Sequence, residues 1–297
     1  MNATLALITE SDTQLNDALL ALTPTLELPS VVREQALKKQ SNISDYDFLL
    51  GWHYADDEHL PPNLALFSKT TGPVFIDFLG GKKNHRRQFG GGKGQPLARA
   101  VGIASDFTPK VIDATAGMGG DAFVFATLGC EVLMIERSPI VAALLQDALN
   151  RANLELQRET SHTTQGKTQR FDEDERTFLS ETISRMQLVN ADAAEFIATT
   201  KPEADAIYLD PMYPEKKKKA ATNKEMTALQ GLVGPDMDSS RLLEAALAVA
   251  KKRVAVKRPA KAEPIQLASG KKPSASIQSP NTRYDLYVST AVTAPQS

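Results

Sequence analysis

From residue 110 onward, short apolar runs alternate with longer segments of helical periodicity. Val111–Ala114, Glu131–Glu136, Met186–Asn190, Ala204–Leu209, Arg253–Lys257 and Arg283–Thr290 predict strands. Asp121–Leu128, Pro139–Ala152 and Leu242–Ala250 predict helices, with Pro139 at a first-turn position where its missing N–H costs nothing. Strands and helices alternating at this spacing predict an α/β fold with a doubly wound, mostly parallel sheet. The first hundred residues are patterned more weakly. They predict strands at Thr4–Ile8 and Asp47–Gly51, a short helix at Val31–Lys39, a hairpin of Leu64–Phe67 with Pro73–Leu79, a glycine-rich turn at Phe89–Gly94, and a helix at Leu97–Ile103. This organisation predicts a small N-terminal α+β domain, residues 1–95, followed by a ligand-binding domain, residues 96–297. A polar stretch at about residues 157–181 breaks the alternation and predicts a mobile surface insertion.

Composition narrows the class. With 42% hydrophobic and 24% charged residues over 297 positions, the chain is neither disordered, collagen-like nor a disulfide scaffold. Cys130 is the single cysteine, and no Cys/His pattern has metal-ligand spacing, so no metal is expected. There is no basic, apolar leader and no run of about 18 apolar residues, so neither a signal peptide nor a membrane span is expected. The expected compartment is a reducing cytoplasm.

A net charge of -2 argues at first against a polyanionic partner, but the charges are segregated. Residues 1–78 hold 11 acids against four bases. The stretch 78–105 holds no acid and six bases, Lys82, Lys83, Arg86, Arg87, Lys93 and Arg99. A second basic block, Lys216–Lys219, follows Asp-Pro-Met-Tyr-Pro, and a third comprises Lys251, Lys252, Arg253, Lys257, Arg258 and Lys261. Any one block reads equally well as a solvated face. Three of them beside candidate chemistry point to a polyanion.

The chemistry is expected at the carboxyl ends of the strands, near the switch in strand order. Asp113-Ala-Thr-Ala-Gly-Met-Gly-Gly-Asp121 ends the first strand, and Gly117 and Gly119 permit a tight turn before the next helix. Alone, this turn also fits a dinucleotide fingerprint. Glu136 ends the second strand, where an acid suits ribose hydroxyls, and Asp192 follows the third, where it can accept from an adenine amine. Asp113 would face a cationic methionine moiety, and Asp121 is poorly placed for a pyrophosphate; both favour S-adenosylmethionine over a nicotinamide dinucleotide. The fourth end, Asp210-Pro211-Met212-Tyr213-Pro214, has the clearest use. A nucleobase amine is a poor nucleophile because its lone pair is delocalised. A carboxylate and a fixed backbone carbonyl accepting its N–H groups draw that pair out of the ring, Pro211 sets the turn, and Tyr213 can stack on the base. A nucleotide-dependent dehydrogenase leaves this motif without a role. An amine methyltransferase acting on DNA adenine or on protein, and a non-catalytic ribosome-assembly factor, remain alternatives.

Phe75-Ile-Asp-Phe-Leu-Gly-Gly, His85-Arg-Arg-Gln-Phe-Gly-Gly-Gly-Lys-Gly, the glycine turn with Ala122 and Phe123, Leu209-Asp-Pro-Met-Tyr-Pro and Val256-Lys-Arg-Pro together resemble the bacterial small-subunit ribosomal RNA guanine-N2 methyltransferase J family. The blocks span roughly residues 74–290. The resemblance implies a class I methyltransferase, Rossmann-like, that uses S-adenosyl-L-methionine to methylate a guanine exocyclic N2 amine in small-subunit (16S) rRNA, free or in the 30S particle. It implies cofactor contacts at the pairs Gly120–Asp121, Glu136–Arg137 and Asp192–Ala193, and at Asp210; the glycine turn adds Gly117, and the chemistry of the fourth strand end makes Asp210, Pro211 and Tyr213 the candidate catalytic residues. No membrane and no DNA partner is implied. Met212 stands where the common amine-methyltransferase pattern has a second proline, and the first 60 residues and the 157–181 stretch match no motif.

Overall fold

The computed structural model describes residues 4–33, 37–38, 42–43, 46–54, 61–69, 71–80, 92–158, 171–212 and 238–288. The chain divides into two compact units, one of residues 1–77, 138–151 and 212–236, the other of residues 78–137, 152–211 and 237–297.

The first unit is built on a four-stranded sheet. Its strands are β1 (Leu5–Thr9), β2 (Ser30–Val32), β5 (Phe48–His53) and β6 (Asn63–Ser68), in the order β2-β1-β5-β6. A separate short ladder joins β3 (Leu37–Lys38) and β4 (Asn42–Ile43). β1 runs parallel to β2 and β5, and β6 pairs antiparallel with β5 over its whole length. Ala6, Ile8, Leu49, Ala65 and Phe67 form the core on one face. Gly51 lets β5 pass close to β1, because a Cβ there would lie 2.6 Å from Cβ of Ile8. Helix α1 (Thr13–Leu22) follows β1, and the Asp12 carboxylate caps it by accepting the Gln14 N–H at 2.8 Å.

The sequence pattern misjudged part of this unit. Val31 and Val32 belong to β2 rather than to a helix, since adjacent β-branched residues suit a strand beside β1. Pro73–Leu79 forms no second hairpin strand; β6 is already paired with β5, and only Val74 bridges to Leu66. Phe89 and the turn around it lie outside the described residues, apart from a 3-10 turn at Gly92–Gly94.

The second unit carries a seven-stranded sheet of β7 (Val111–Asp113), β8 (Val132–Glu136), β9 (Met186–Asn190), β10 (Ala206–Leu209), β11 (Arg253–Pro259), β12 (Ala275–Gln278) and β13 (Thr282–Val288). Its order is β12-β13-β11-β10-β7-β8-β9. The five strands from β11 to β9 are parallel, and β13 and β12 add an antiparallel edge. Helices α2 (Pro96–Val101), α3 (Gly120–Thr127), α5 (Glu173–Ser184), α6 (Ala193–Thr200) and α7 (Ser239–Val249) belong to this unit, while α4 (Pro139–Gln157) begins in the first unit and ends in the second.

Alternation along β10 sorts the core. Ile207 and Leu209 pack with Ala194, Ile197, Leu242, Leu243 and Ala246, whereas Tyr208 meets Phe125 edge-on at 5.2 Å. β7, β8 and β9 step outward in one direction, and the chain then crosses to place β10 on the other side of β7. That reversal opens a crevice at the carboxyl ends of β7 and β10. Residues 173–184, which overlap the end of the 157–181 stretch expected to be a mobile insertion, form α5, because Asp172 accepts the Glu175 N–H at 2.8 Å and Leu179 and Ile183 are buried.

Candidate active site

The crevice is assembled by strand register. Leu209 pairs with Val256, so the next residues, Asp210 and Lys257, arrive side by side. On the other flank Tyr208 pairs with Asp113. The Tyr208 carbonyl accepts the Ala114 N–H at 2.9 Å, and the Asp210 N–H donates to Thr115 Oγ1 at 2.6 Å. The backbone at Asp210 is thereby tied to the start of the glycine loop. Pro211 is buried and Met212 partly so, while Tyr213 lies outside the described residues.

The loop turns through two left-handed glycines, Gly117 (φ 52°) and Gly119 (φ 70°), and Gly119 is the N-cap of α3. The Gly117 N–H donates to Glu136 Oε2 at 2.9 Å, so the acid at the end of β8 braces the turn. A Cβ on Gly120 would meet nothing within 4 Å, which leaves open space over the first turn of α3. A turn with this room and an acid behind it fits an adenosine-bearing ligand.

Asp121, Lys257 and Asp210 form a trio, and Tyr208 holds Asp121. Tyr208 Oη donates to Asp121 Oδ2 at 2.6 Å, and Lys257 Nζ lies 3.0 Å from the same oxygen. Lys257 Nζ is also 2.6 Å from Asp210 Oδ2. Burial pulls Lys257 downward, but the Asp210 and Asp121 carboxylates outweigh it and leave the ammonium more basic than usual. Burial, reinforced by the Asp121 charge, raises the Tyr208 phenol well above its ordinary value. Asp210 keeps a side chain 39% exposed, against 11% for Asp121, so it is the acid of this trio most open to a ligand.

Asp113 differs from the expectation that it would present a charge. It is 1% exposed, and burial first, then the Asp121 charge, pushes its carboxyl up to about 8 against the pull of the Thr115 N–H. At neutral pH it is an uncharged acid inside the sheet. Asp192 caps α6 through Oδ1, accepting the Glu195 N–H at 2.9 Å, while Oδ2 pairs with Arg241 at 2.7 Å. Partial burial pushes Asp192 up, but the Glu195 N–H and Arg241 outweigh it and hold the acid below its usual range. Asp238 links Arg241 to Arg137, at 2.9 and 3.4 Å. Ala193 is buried at the start of α6.

Lys257, Thr115, Tyr208 and Arg241 were not among the site residues expected from sequence. The signal for Lys257 was available, since it follows the buried run Val254-Ala-Val one strand over from Asp210. It had been counted instead in the third basic block, which the fold disperses. Lys251 pairs with Glu203, Lys252 lies 3.4 Å from the Phe107 ring centroid, and Arg258 is buried with Nη2 donating to the Glu263 carbonyl. Lys82, Lys83, Arg86, Arg87 and Lys216–Lys219 lie outside the described residues.

Comparison with known proteins agrees with this geometry. Residues 54–289 match the family described as "Putative SAM-dependent methyltransferase", SAM being S-adenosylmethionine. The chain is 54% identical over 289 residues to the ribosomal RNA small subunit methyltransferase J of Hydrogenovibrio crunogenus, covering 95% of each chain. It is 45% identical to the protein of the same name from Proteus mirabilis, over 73% of this chain and 78% of that one. A crystal structure of a SAM-dependent methyltransferase from Neisseria gonorrhoeae aligns over 98% of both chains with a TM-score of 0.63 and 28% identity.

Proposed function

This chain belongs to the ribosomal RNA small subunit methyltransferase J family of S-adenosylmethionine-dependent methyltransferases, and we propose that it methylates the exocyclic N2 amine of a guanine in small-subunit (16S) rRNA in the cytoplasm. The observation that carries this reading is Asp210. Its backbone is fixed by Thr115, one carboxylate oxygen is held by Lys257, and its side chain stays accessible beside the glycine loop. That arrangement suits an acceptor for an aromatic amine.

The cofactor supplies an electrophilic methyl group on a sulfonium. Gly117 and Gly120 would allow its close approach, Glu136 would hold the ribose hydroxyls, and Arg137, Asp192 and Ala193 would border the adenine. Asp121 and Asp210 place negative charge near the sulfonium. The Asp210 carboxylate and the backbone carbonyl at Pro211–Met212 each accept one N–H of the guanine amine, and Tyr213 packs on the base. With the cofactor bound, the N2 lone pair would take its methyl group, and sulfur would keep the electron pair of the broken S–C bond. The surplus amine proton passes to Asp210 and then to water, and S-adenosylhomocysteine leaves. Lys82, Lys83, Arg86, Arg87 and Lys216–Lys219 hold phosphates while the guanine is extruded from its stack, at a cost of about a few kcal/mol.

The test is transfer of labelled methyl to undermethylated small-subunit particles, naked 16S rRNA, DNA and protein. Label at guanine N2 in the particles or the rRNA is expected. Transfer to DNA or protein alone would overturn the assignment.

A further inference from the structure

We propose that Lys257 is a positioning residue for methyl transfer: its ammonium bridges Asp121 and Asp210, holding one carboxylate on the cofactor side and one on the substrate side in a single arrangement. The proposal rests on the reading of Asp210 as acceptor of the substrate amine.

The bridge is geometric first. Lys257 Nζ lies 2.6 Å from Asp210 Oδ2 and 3.0 Å from Asp121 Oδ2, with its side chain 28% exposed. Its backbone belongs to β11, where it pairs with Tyr284 of β13, one residue past the last pair with β10, Leu209–Val256. The ammonium therefore projects from a residue still inside the β11–β13 ladder, whereas Asp210 stands just past the end of β10. Asp121 is separately anchored by the Tyr208 hydroxyl at 2.6 Å. Lys257 links the more exposed acid to this anchored one.

Charge gives the bridge a chemical role. The titratable groups facing Lys257 are Asp121 on α3, Asp210 after β10 and Asp113 on β7, with Tyr208 on β10 and Tyr284 on β13 behind them. Asp113 is pushed toward its uncharged form, so among the described residues Lys257 stands between the carboxyls of Asp121 and Asp210. Without the ammonium the link between the two acids is lost, and the more exposed Asp210 turns toward water or takes a proton. In either state it no longer accepts an N–H from the substrate in the required direction.

The experiment compares the full-length wild type with Lys257→Met, Lys257→Gln and Lys257→Arg. Steady-state methyl transfer to undermethylated particles is measured across pH, and S-adenosylhomocysteine binding is measured by calorimetry across the same range. In the Met variant kcat is expected to fall about 10- to 100-fold with little change in KM for the particle. The acid limb of its profile is expected to move upward by about one unit, because the opposite charge that favours the ionised carboxylates is gone. Lys257→Arg is expected to recover most of the rate and the wild-type limb. Lys257→Gln, which keeps a donor but no charge, takes the place of the Met variant if that one does not fold.

A neutral variant whose pH profile matches the wild type overturns the proposal, as does a rate loss that Lys257→Arg does not recover. If the wild type is inert on every small-subunit RNA substrate, the substrate reading fails instead. The binding arm then decides the Lys257 proposal by itself. A pH dependence of S-adenosylhomocysteine affinity altered in the neutral variant supports it, and an unaltered one overturns it.

Discussion

Two aspartates at adjacent strand ends, Asp113 on β7 and Asp210 after β10, have the same chemistry and opposite fates. Asp113 is 1% exposed and pushed up to about 8, with the Thr115 N–H as its backbone donor. Asp210 is 39% exposed at its side chain and is held at 2.6 Å by Lys257. The difference lies in hydration and in the neighbouring cation. A carboxyl sealed inside a sheet keeps its proton, because the interior cannot replace the water that stabilised its charge. An acid at the rim stays hydrated and can be offered to a ligand. A strand end is therefore a place where chemistry can occur, and solvation decides which acid performs it.

The largest effect expected from this contrast is at Asp210. Asp210→Ala is expected to lower kcat roughly 100- to 1000-fold while far-ultraviolet circular dichroism stays unchanged. Near-normal transfer by that variant would erase the distinction between the two acids. Asp113→Asn tests the other half. The folded carboxyl at about 8 lies above its unfolded value, so the folded state keeps a proton that the unfolded chain releases, and stability falls as pH rises from the ordinary carboxylate range toward 8. The Asn variant lacks this loss. Its unfolding free energy should exceed the wild type's at alkaline pH by several kcal/mol, at about 1.4 kcal/mol for each pH unit between the unfolded and folded values, with the gap closing in acid. A gap independent of pH would show that Asp113 is ionised in the folded protein.

Glu136 sharpens the comparison as a buried acid with a backbone partner, the Gly117 N–H at 2.9 Å. Glu136→Gln retains an acceptor for that N–H and removes the charge proposed to meet the ribose. Calorimetry should show S-adenosylmethionine affinity falling about tenfold, the difference between a charge-assisted and a neutral hydrogen bond. Unchanged affinity would take Glu136 out of the cofactor site and leave it as a brace for the loop. The smallest effect belongs to Arg241, which is 53% exposed beside Asp192. Arg241→Ala should change stability by less than about 1 kcal/mol, and by less still at high salt, because the Glu195 N–H still binds Asp192. A larger change would place the third strand-end acid with the buried ones.

The second unit was far more legible in the sequence than the first. Its strands are short apolar runs bounded by turn residues, and the glycine turn and Asp-Pro-Met-Tyr stand at the ends of two of them. In the first unit Val31 and Val32 were misread because a parallel partner twenty-odd residues upstream, β1, stabilises them as a strand, and local propensity contains no trace of that partner. Helix α5 was hidden by its polarity, since Leu179 and Ile183 are its buried apolar anchors. Lys257 was misassigned because a run of bases looks alike in sequence whether it lies on one surface or is divided among a site, an aromatic ring and the core.

Sequence alone determined the α/β class of the second unit, the strand ends at which polar residues collect, and the membership of Gly117, Glu136 and Asp210 in that collection. These are consequences of local periodicity and turn chemistry, which depend on near neighbours in the chain. Tertiary structure alone decided that Asp113 is neutral, that Asp192 is engaged by Arg241, and that Lys257 bridges Asp121 and Asp210. Ionisation and pairing depend on burial and on charges brought together from 136 and 47 residues apart, and only the register of β10 against its neighbours sets those distances.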